Sequence, residues 1–326
     1  MNGCGRDAPE SSRREPDETD ILLGEQNISN ETPLPRVQLA VLCALRMLDP
    51  LSFSQIFPYI NDFMADLHLT EDPSQIGFYS GLVESAFAIS QLFAIYPWSW
   101  ASDVIGRRPV IIMGVTGLTL TTILFGLSSN LTQVLISRTL AGVFTGNVAI
   151  IPSVLCEITD YSNQAKAFPI FGLFWPIGSI VGPLIGGSLS NPARKYGGLF
   201  DNLFFHEYPY FLPSFTAAMT SFVVAIASFT FLKESMPAKI AMNSPVDTER
   251  HGNYGATQVA AFSGIDKPLG VKQLLTFPVI RALCVSGFIL SFITTAFDVL
   301  FVLFCYTPVQ SGGLGFSVSS LLIYLF

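Results

Sequence analysis

The sequence predicts an all-α, polytopic membrane protein, and three observations carry that prediction. Half of the 326 residues are hydrophobic and only 13% are charged, whereas soluble domains carry roughly a quarter charged residues. Apolar runs long enough to cross a bilayer, about 20 residues each, recur along most of the chain. The 28 Phe outnumber the 17 Lys and Arg taken together, so solubilising surface is scarce. The formal net charge of −7 says little about topology, because orientation follows the placement of Lys and Arg rather than the net balance.

Residues 1–35 begin MNGCGRDAPESSRREPDETD. They are polar, contain Pro and lack periodicity, which predicts a disordered tail. The start lacks the basic n-region and short apolar h-region of a secretory signal, so the first apolar run is expected to be retained. Seven spans follow, near 37–60, 76–98, 109–127, 131–152, 167–189, 208–232 and 279–306. Between the sixth and seventh, residues 233–273 form the one long hydrophilic insertion, rich enough in Pro, Gly and Asn to mark a boundary between two bundles. After Pro308 the chain reads VQSGGLGFSVSSLLIYLF, so residues 317–326 supply only ten residues of an eighth, apolar segment. That is about half of what a bilayer requires, and a chain truncated within its second bundle is expected.

Counting Lys and Arg in the gaps sets the orientation. One side receives Arg6, Arg13, Arg14 and Arg36, then Arg107 and Arg108, then Lys166, then Lys233, Lys239, Arg250, Lys267 and Lys272. The other side receives only Arg194 and Lys195. The N-terminus, the second gap and the long insertion are therefore predicted to be cytoplasmic. The second gap, WSWASDVIGRRPV, puts Gly106 where the backbone must reverse and Pro109 in the first turn of the next helix. Asp103 is the residue that topology alone does not require.

This gap resembles the signature G-x-L-A-D-R-x-G-R-[RK]-x-x-L of the major facilitator superfamily. Asp103, Gly106, Arg107, Arg108 and Ile111 match it in position or character, while Ser99 and Val104 replace the usual first Gly and Arg. Two further motifs follow in order. LISRTLAGVFTGN carries Arg138 and Gly142, similar to the R-x-x-x-G of the family's fourth helix, with Ala141 where Gln is frequent. GSIVGPLIGG, with Gly178, Gly182, Pro183, Gly186 and Gly187, resembles the fifth-helix motif associated with antiporters. The wording of RMLDPLSFSQIFPYI, GFYSGLVESAFAISQLF, NPARKYGGLF and YPYFLPSF is similar to a fungal drug:proton antiporter branch near zinc-induced-facilitator-like and tetracycline-resistance-like transporters. The resemblance covers about residues 36–316. It implies a major facilitator fold with a complete first six-helix bundle (36–232), a cytoplasmic linker (233–273), and an incomplete second bundle (274–326) holding the seventh helix and the start of an eighth. It also implies secondary transport, with protons exchanged for a small organic solute or for a metal or its chelate.

A charge at the bilayer centre costs about 2.5–3.5 kcal/mol on insertion scales, so each buried one needs a partner or water. Arg46 and Asp49 are three apart on the first span, neighbours on one helical face. They are expected either to pair within the helix or to line the central cavity. Glu84, among small residues in the second span, and Asp298, in the seventh, could each exchange protons or simply hold a helix contact. Arg138 lies about 10 Å deep by helical rise. The resemblance ties it to proton coupling, with Asp49 or Glu84 as its carboxylate. The glycines of the fifth span suit close backbone approach. Phe53, Phe57, Phe87, Phe171, Phe174 and Trp175 suit either an aromatic cavity or ordinary packing.

The remaining features are negative or peripheral. His68, His206 and His251 fall in predicted loops, and the five Cys show no metal-ligand or disulfide spacing. No phosphate-binding loop appears, so transport is expected to be secondary rather than ATP-driven; no enzymatic role, cofactor, metal site, nucleic acid or obligate protein partner is expected beyond the bilayer, the solute and protons. In the tail, Glu18, Leu22 and Leu23 fit an acidic dileucine address for vacuolar or endosomal membranes; the plasma membrane is the other location considered. A seven-helix receptor and a non-transporting fragment or assembly partner are the rival readings. The receptor conflicts with a cytoplasmic N-terminus.

Overall fold

The computed structural model describes residues 32–69, 75–236, 275–307, 309 and 312–315. The dileucine residues Glu18, Leu22 and Leu23, most of the 233–273 linker and the 317–326 segment lie outside the described residues. Helices account for the regular structure within them: α1 (Arg36–Ser54), α2 (Ile60–Asp66), α3 (Ile76–Ile105), α4 (Arg107–Gly126), α5 (Leu131–Phe144), α6 (Ile150–Ile158), α7 (Tyr161–Leu189), α8 (Pro192–Tyr196), α9 (Leu203–Glu207), α10 (Phe211–Phe231) and α11 (Pro278–Tyr306). Seven stretches of helix are long and apolar enough to cross a membrane, with Leu131–Ile158 forming a single span from α5 and α6. These coincide with the seven predicted spans, and their ends need four corrections.

The second gap is almost wholly helical. Trp98 to Ile105 continue α3, and Gly106 alone separates it from α4. Gly106 has φ 115° and ψ 156°, a region open to little except glycine. The first span ends at Ser54, not near residue 60. Pro50 stays inside the helix, and the turn comes at residues 55–59 before α2 resumes. The fourth span runs to Ile158 and tightens into a 3₁₀ turn at Thr145–Ala149. Crowding accounts for that turn. A Cβ on Gly146 would press on Ala94 and Trp98 of α3, and one on Gly114 of α4 would press on Asn147. Finally, α7 begins at Tyr161, six residues before the apolar run. Asp160 and Asn163 close a capping box there, satisfying amide groups that a helix start otherwise leaves open.

Packing is pairwise: α1 lies chiefly on α7, α4 on α10 and α3 on α5. Two apolar clusters divide the bundle. One, towards the end that bears the Gly106 turn, gathers Leu42, Leu45, Val110, Ile111, Ile150, Leu155 and Ala167. The other, towards the opposite end, gathers Ile56, Phe63, Met64, Val83, Phe125, Val134 and Tyr210. Between them Phe87, Leu118 and Ala141 form a thinner layer, flanked by the charged residues of the spans. Of the spans, α4 is the most enclosed, α3 and α7 leave most of their apolar surface exposed, and α11 buries none over Pro278–Phe297.

Candidate functional site

The Gly106 turn organises the first constellation. A glycine at the start of α4 has no side chain to cap it, so the amide groups of Arg107 and Arg108 need an acceptor from elsewhere. Glu234, just beyond α10, supplies it: its Oε1 accepts from the Arg107 N–H at 2.8 Å and its Oε2 from the Arg108 N–H at 3.3 Å. A carboxylate at a helix N-terminus is also favoured by the helix dipole. The Arg107 side chain turns the other way. It meets Asp103 Oδ1 at 2.6 Å across the turn and Glu157 Oε1 at 3.1 Å, and donates to the Ser102 hydroxyl at 2.5 Å. Ser235 in turn donates to Glu157. Arg108 donates to the Phe229 carbonyl at 2.5 Å and lies over that residue's ring. The motif residues Asp103, Gly106, Arg107 and Arg108 therefore tie α3, α4, α6 and the end of α10 together on one face.

Glu157 and Glu234 were missed by the sequence reading. Their signal was present: both stand at ends of even-numbered spans, in CEITD and LKES. The charge count puts those ends on the same side as Arg107, where two arginines at a helix start call for carboxylates.

The second constellation lies between the two apolar clusters. Arg138 is 3% exposed and its Nη2 stands 3.7 Å from Glu84 Oε1. The guanidinium is sandwiched by Phe125 at 4.7 Å and Phe87 at 5.5 Å. Arg138 Nε and Nη2 and both Glu84 oxygens have no hydrogen-bond partner. Of the two carboxylates expected for Arg138, the structure brings up Glu84. A desolvated cation–π contact contributes about 2 kcal/mol, comparable with the insertion cost of the charge, so the two rings matter as much as the carboxylate.

Of the two arrangements the sequence left open for Arg46 and Asp49, an ion pair within the helix is not formed. Arg46 stacks over Trp175 at 4.4 Å and Phe171 at 5.5 Å, while Asp49 Oδ1 accepts from Gln91 Nε2 at 3.0 Å. Better partners on neighbouring helices explain its absence: α7 offers two ring faces to the cation, and α3 offers an amide donor to the carboxylate. Of the aromatic set, Phe171 and Trp175 thus serve Arg46, and Phe53 packs on Phe57 and Phe87 at centroid separations of 4.9 and 5.7 Å.

Three glycines of the fifth-span motif face α1 directly. A Cβ on Gly178 would meet the Met47 carbonyl and Pro50; on Gly182, Ser54 and the Leu51 carbonyl; on Gly186, the Gln55 carbonyl. Gly187 is buried and its carbonyl accepts from Lys195 Nζ at 2.6 Å. Pro183 sits within the unbroken α7. Asp298 falls on α11, and its side chain lies outside the described residues. His206 is a further correction: it stands on the short helix α9 and contacts Asp201 at 2.7 Å. His206 and His68 also line one cleft with Asp66, Arg194 and Tyr210, so loop position alone hid their proximity. There the Tyr210 hydroxyl donates to Asp66 at 2.6 Å, and burial followed by the Asp66 contact raises the Tyr210 phenol above its usual range.

Comparison with known proteins agrees with this architecture. The chain is 38% identical to a major facilitator-type transporter, psiT2, of Psilocybe cyanescens, over 94% of its own length and 65% of the relative's. It is 34% identical to the efflux pump azaK of Aspergillus niger, over 88% of its length and 56% of that protein. It thus spans less than two thirds of either relative. The human organic anion transporter MFSD10 (TETRAN) shares the fold, with a TM-score of 0.50 at 20% identity over 64% of this chain and 50% of that one. The model of the Major Facilitator Superfamily matches residues 42–326, which takes in both constellations, and the chain belongs to that superfamily.

Proposed function

We propose that the protein acts as a proton-coupled secondary transporter, exporting a small organic solute or a metal or its chelate. The observation that carries this reading is the buried Arg138–Glu84 pair, held at 3.7 Å with hydrogen-bonding capacity unfilled on both sides. Proton affinity of a carboxylate in a low-dielectric site depends steeply on its distance from a fixed cation. A pair this loose lets a small helix movement load or release a proton, whereas a fully hydrogen-bonded pair resists it. Transporters of this kind rock one bundle against another around a site near the bilayer midplane, which suits the position of Arg138 between the two apolar clusters. Efflux by one relative supports the direction. The Lys and Arg bias supports a cytoplasmic N-terminus, in a vacuolar, endosomal or plasma membrane. Membership of the facilitator family runs against the receptor reading.

The test is transport in proteoliposomes under an imposed pH gradient, in a version covering the full length of the relatives. Glu84→Gln is expected to abolish gradient-driven accumulation while solute exchange without a gradient persists. Accumulation that still follows the gradient in Glu84→Gln would overturn the coupling role.

A further inference from the structure

The segment that leads into α1 is fastened to the start of α7. Thr32 is exposed, donates its hydroxyl hydrogen to Asp160 Oδ2 at 2.8 Å, and accepts at that hydroxyl from Asn163 Nδ2 at 3.1 Å. Its carbonyl accepts from the same amide at 3.4 Å. Asp160 and Asn163 are the two members of the capping box of α7, so the helix they start holds both in place. Thr32 is thus the clasp of a short strap. Pro33 and Leu34 follow it along a slot of about 510 Å³ between α1 and α7. Cys43 lies in the wall of that slot and is only 2% exposed. The residue after the clasp is proline, which drives the residue before it towards extended backbone. Thr-Pro or Ser-Pro in an extended stretch is the pair that proline-directed protein kinases read. Two other such pairs occur, at Ser244 and at Thr307. Ser244 lies outside the described residues, and Thr307 follows the seventh span, opposite to Thr32 by the Lys and Arg count.

We propose that Thr32 is a phosphorylation site for a proline-directed protein kinase, and that the phosphoryl group unfastens the strap. The γ-phosphoryl of ATP bonds to Thr32 Oγ1, the hydroxyl proton passes to the base of the kinase, and ADP leaves. The strap then loses the hydrogen it gave to Asp160. A group of about −1.5 to −2 charge takes its place beside a carboxylate that the clasp had held at 2.8 Å. Asp160 cannot turn aside without uncapping α7, so the strap is the part that moves. Engagement in the clasp does not bar the kinase. Exposed hydrogen bonds of this kind hold a strap closed by a factor on the order of 100, so the open form recurs often enough to be captured. The proposal rests on the cytoplasmic N-terminus read from the Lys and Arg bias, since ATP is found on that side. It is independent of the Arg138–Glu84 pair and of transport.

The test uses the purified 326-residue chain in detergent, with Cys4, Cys156, Cys284 and Cys305 replaced by Ser so that Cys43 alone remains. Incubation with a proline-directed kinase and ATP is expected to place a phosphate on Thr32, located by peptide mass spectrometry. The second readout is the rate at which a maleimide labels Cys43. Phosphorylation is expected to speed labelling at least about tenfold. Thr32→Val, which lacks the clasp hydroxyl, should do the same without kinase, whereas Thr32→Ser should stay slow. An unchanged unfolding midpoint in each separates opening of the strap from loss of the fold. Asp160→Asn keeps an acceptor at the cap of α7 and removes the like charge, so phosphorylation should speed its labelling far less than in the parent. Absence of phosphate at Thr32 would overturn the proposal. So would labelling that phosphorylation leaves unchanged or slows, as when Arg36 holds the phosphate, or equal acceleration in Asp160→Asn. Both ends of the purified protein are open to the kinase, so a negative result speaks against the site and not against the orientation.

Discussion

Glu234 shows how one side chain can hold a turn that its neighbours cannot. Gly106 must be glycine for its backbone angles, so the start of α4 forfeits a capping side chain of its own. The carboxylate of Glu234 takes both exposed amides from across the bundle. Loss of an N-terminal cap typically costs about 1 kcal/mol. Glu234→Ala is therefore expected to lower thermal stability in detergent by that order, measured as a shift of the unfolding midpoint, while Glu234→Asp, one methylene shorter, should lose less. No change in Glu234→Ala would mean water caps the helix equally well. Arg46 makes a second case. Its stacking on Trp175 and Phe171 suits a planar guanidinium and not an ammonium. Arg46→Lys should thus lose stability although charge is kept, and Trp175→Ala should lose a similar amount. If Arg46→Lys were neutral, the stacked geometry would carry no weight.

At the scale of helices, the α1–α7 seam is set by atoms that are missing. Gly182 and Gly186 bring α7 onto the backbone of residues 51–55, and any Cβ there meets main chain, which cannot swing aside. Gly186→Val is expected to force the helices apart and to leave little folded protein by size-exclusion chromatography. Gly172→Ala, where nothing lies within 4 Å, should be tolerated on the same helix. Equal behaviour of the two variants would refute the packing argument. Helix existence was legible from sequence because an apolar run of membrane length has few alternatives to a buried helix. Helix ends were less legible. The Trp98–Ile105 extension of α3 and the capped first turn of α7 are polar enough to read as loop, yet a backbone hydrogen-bonded along a helix tolerates that composition at a membrane surface. The 3₁₀ turn at Thr145–Ala149 follows from crowding by α3 and α4, which no local pattern displays. Arg46 and Asp49 were joined by spacing alone, and spacing sees only partners on the same helix.

Across the whole molecule, two kinds of charge serve two depths. The buried pair, Arg138 and Glu84, has few contacts and unfilled hydrogen bonds. The cluster at the Gly106 turn is dense: Arg107 alone reaches Asp103, Glu157, Ser102 and, through its amide, Glu234. Asp103 is well exposed, and exposed ion pairs add only about 0–1 kcal/mol to stability. Stability is thus a weak reason for Asp103 to be acidic. On the transport function proposed above, a better reason is that the cluster joins four helices at one face, where movement of the bundle would open and close a path. Its exposed member can exchange Arg107 for a partner outside the bundle as that face moves. Asp103→Asn is accordingly expected to leave membrane insertion and thermal stability near those of the parent. It should slow transport severalfold in a version covering the relatives' full length. Arg107→Ala should impair both, because it also strips Glu157 of its cation. The charge-swapped pair Asp103→Arg with Arg107→Asp separates the roles: it keeps an ion pair at the turn but presents the wrong sign outward. Recovery of transport in the swapped protein would show that the local pair alone matters. Continued loss, with insertion intact, is the result expected if Asp103 works by changing partners.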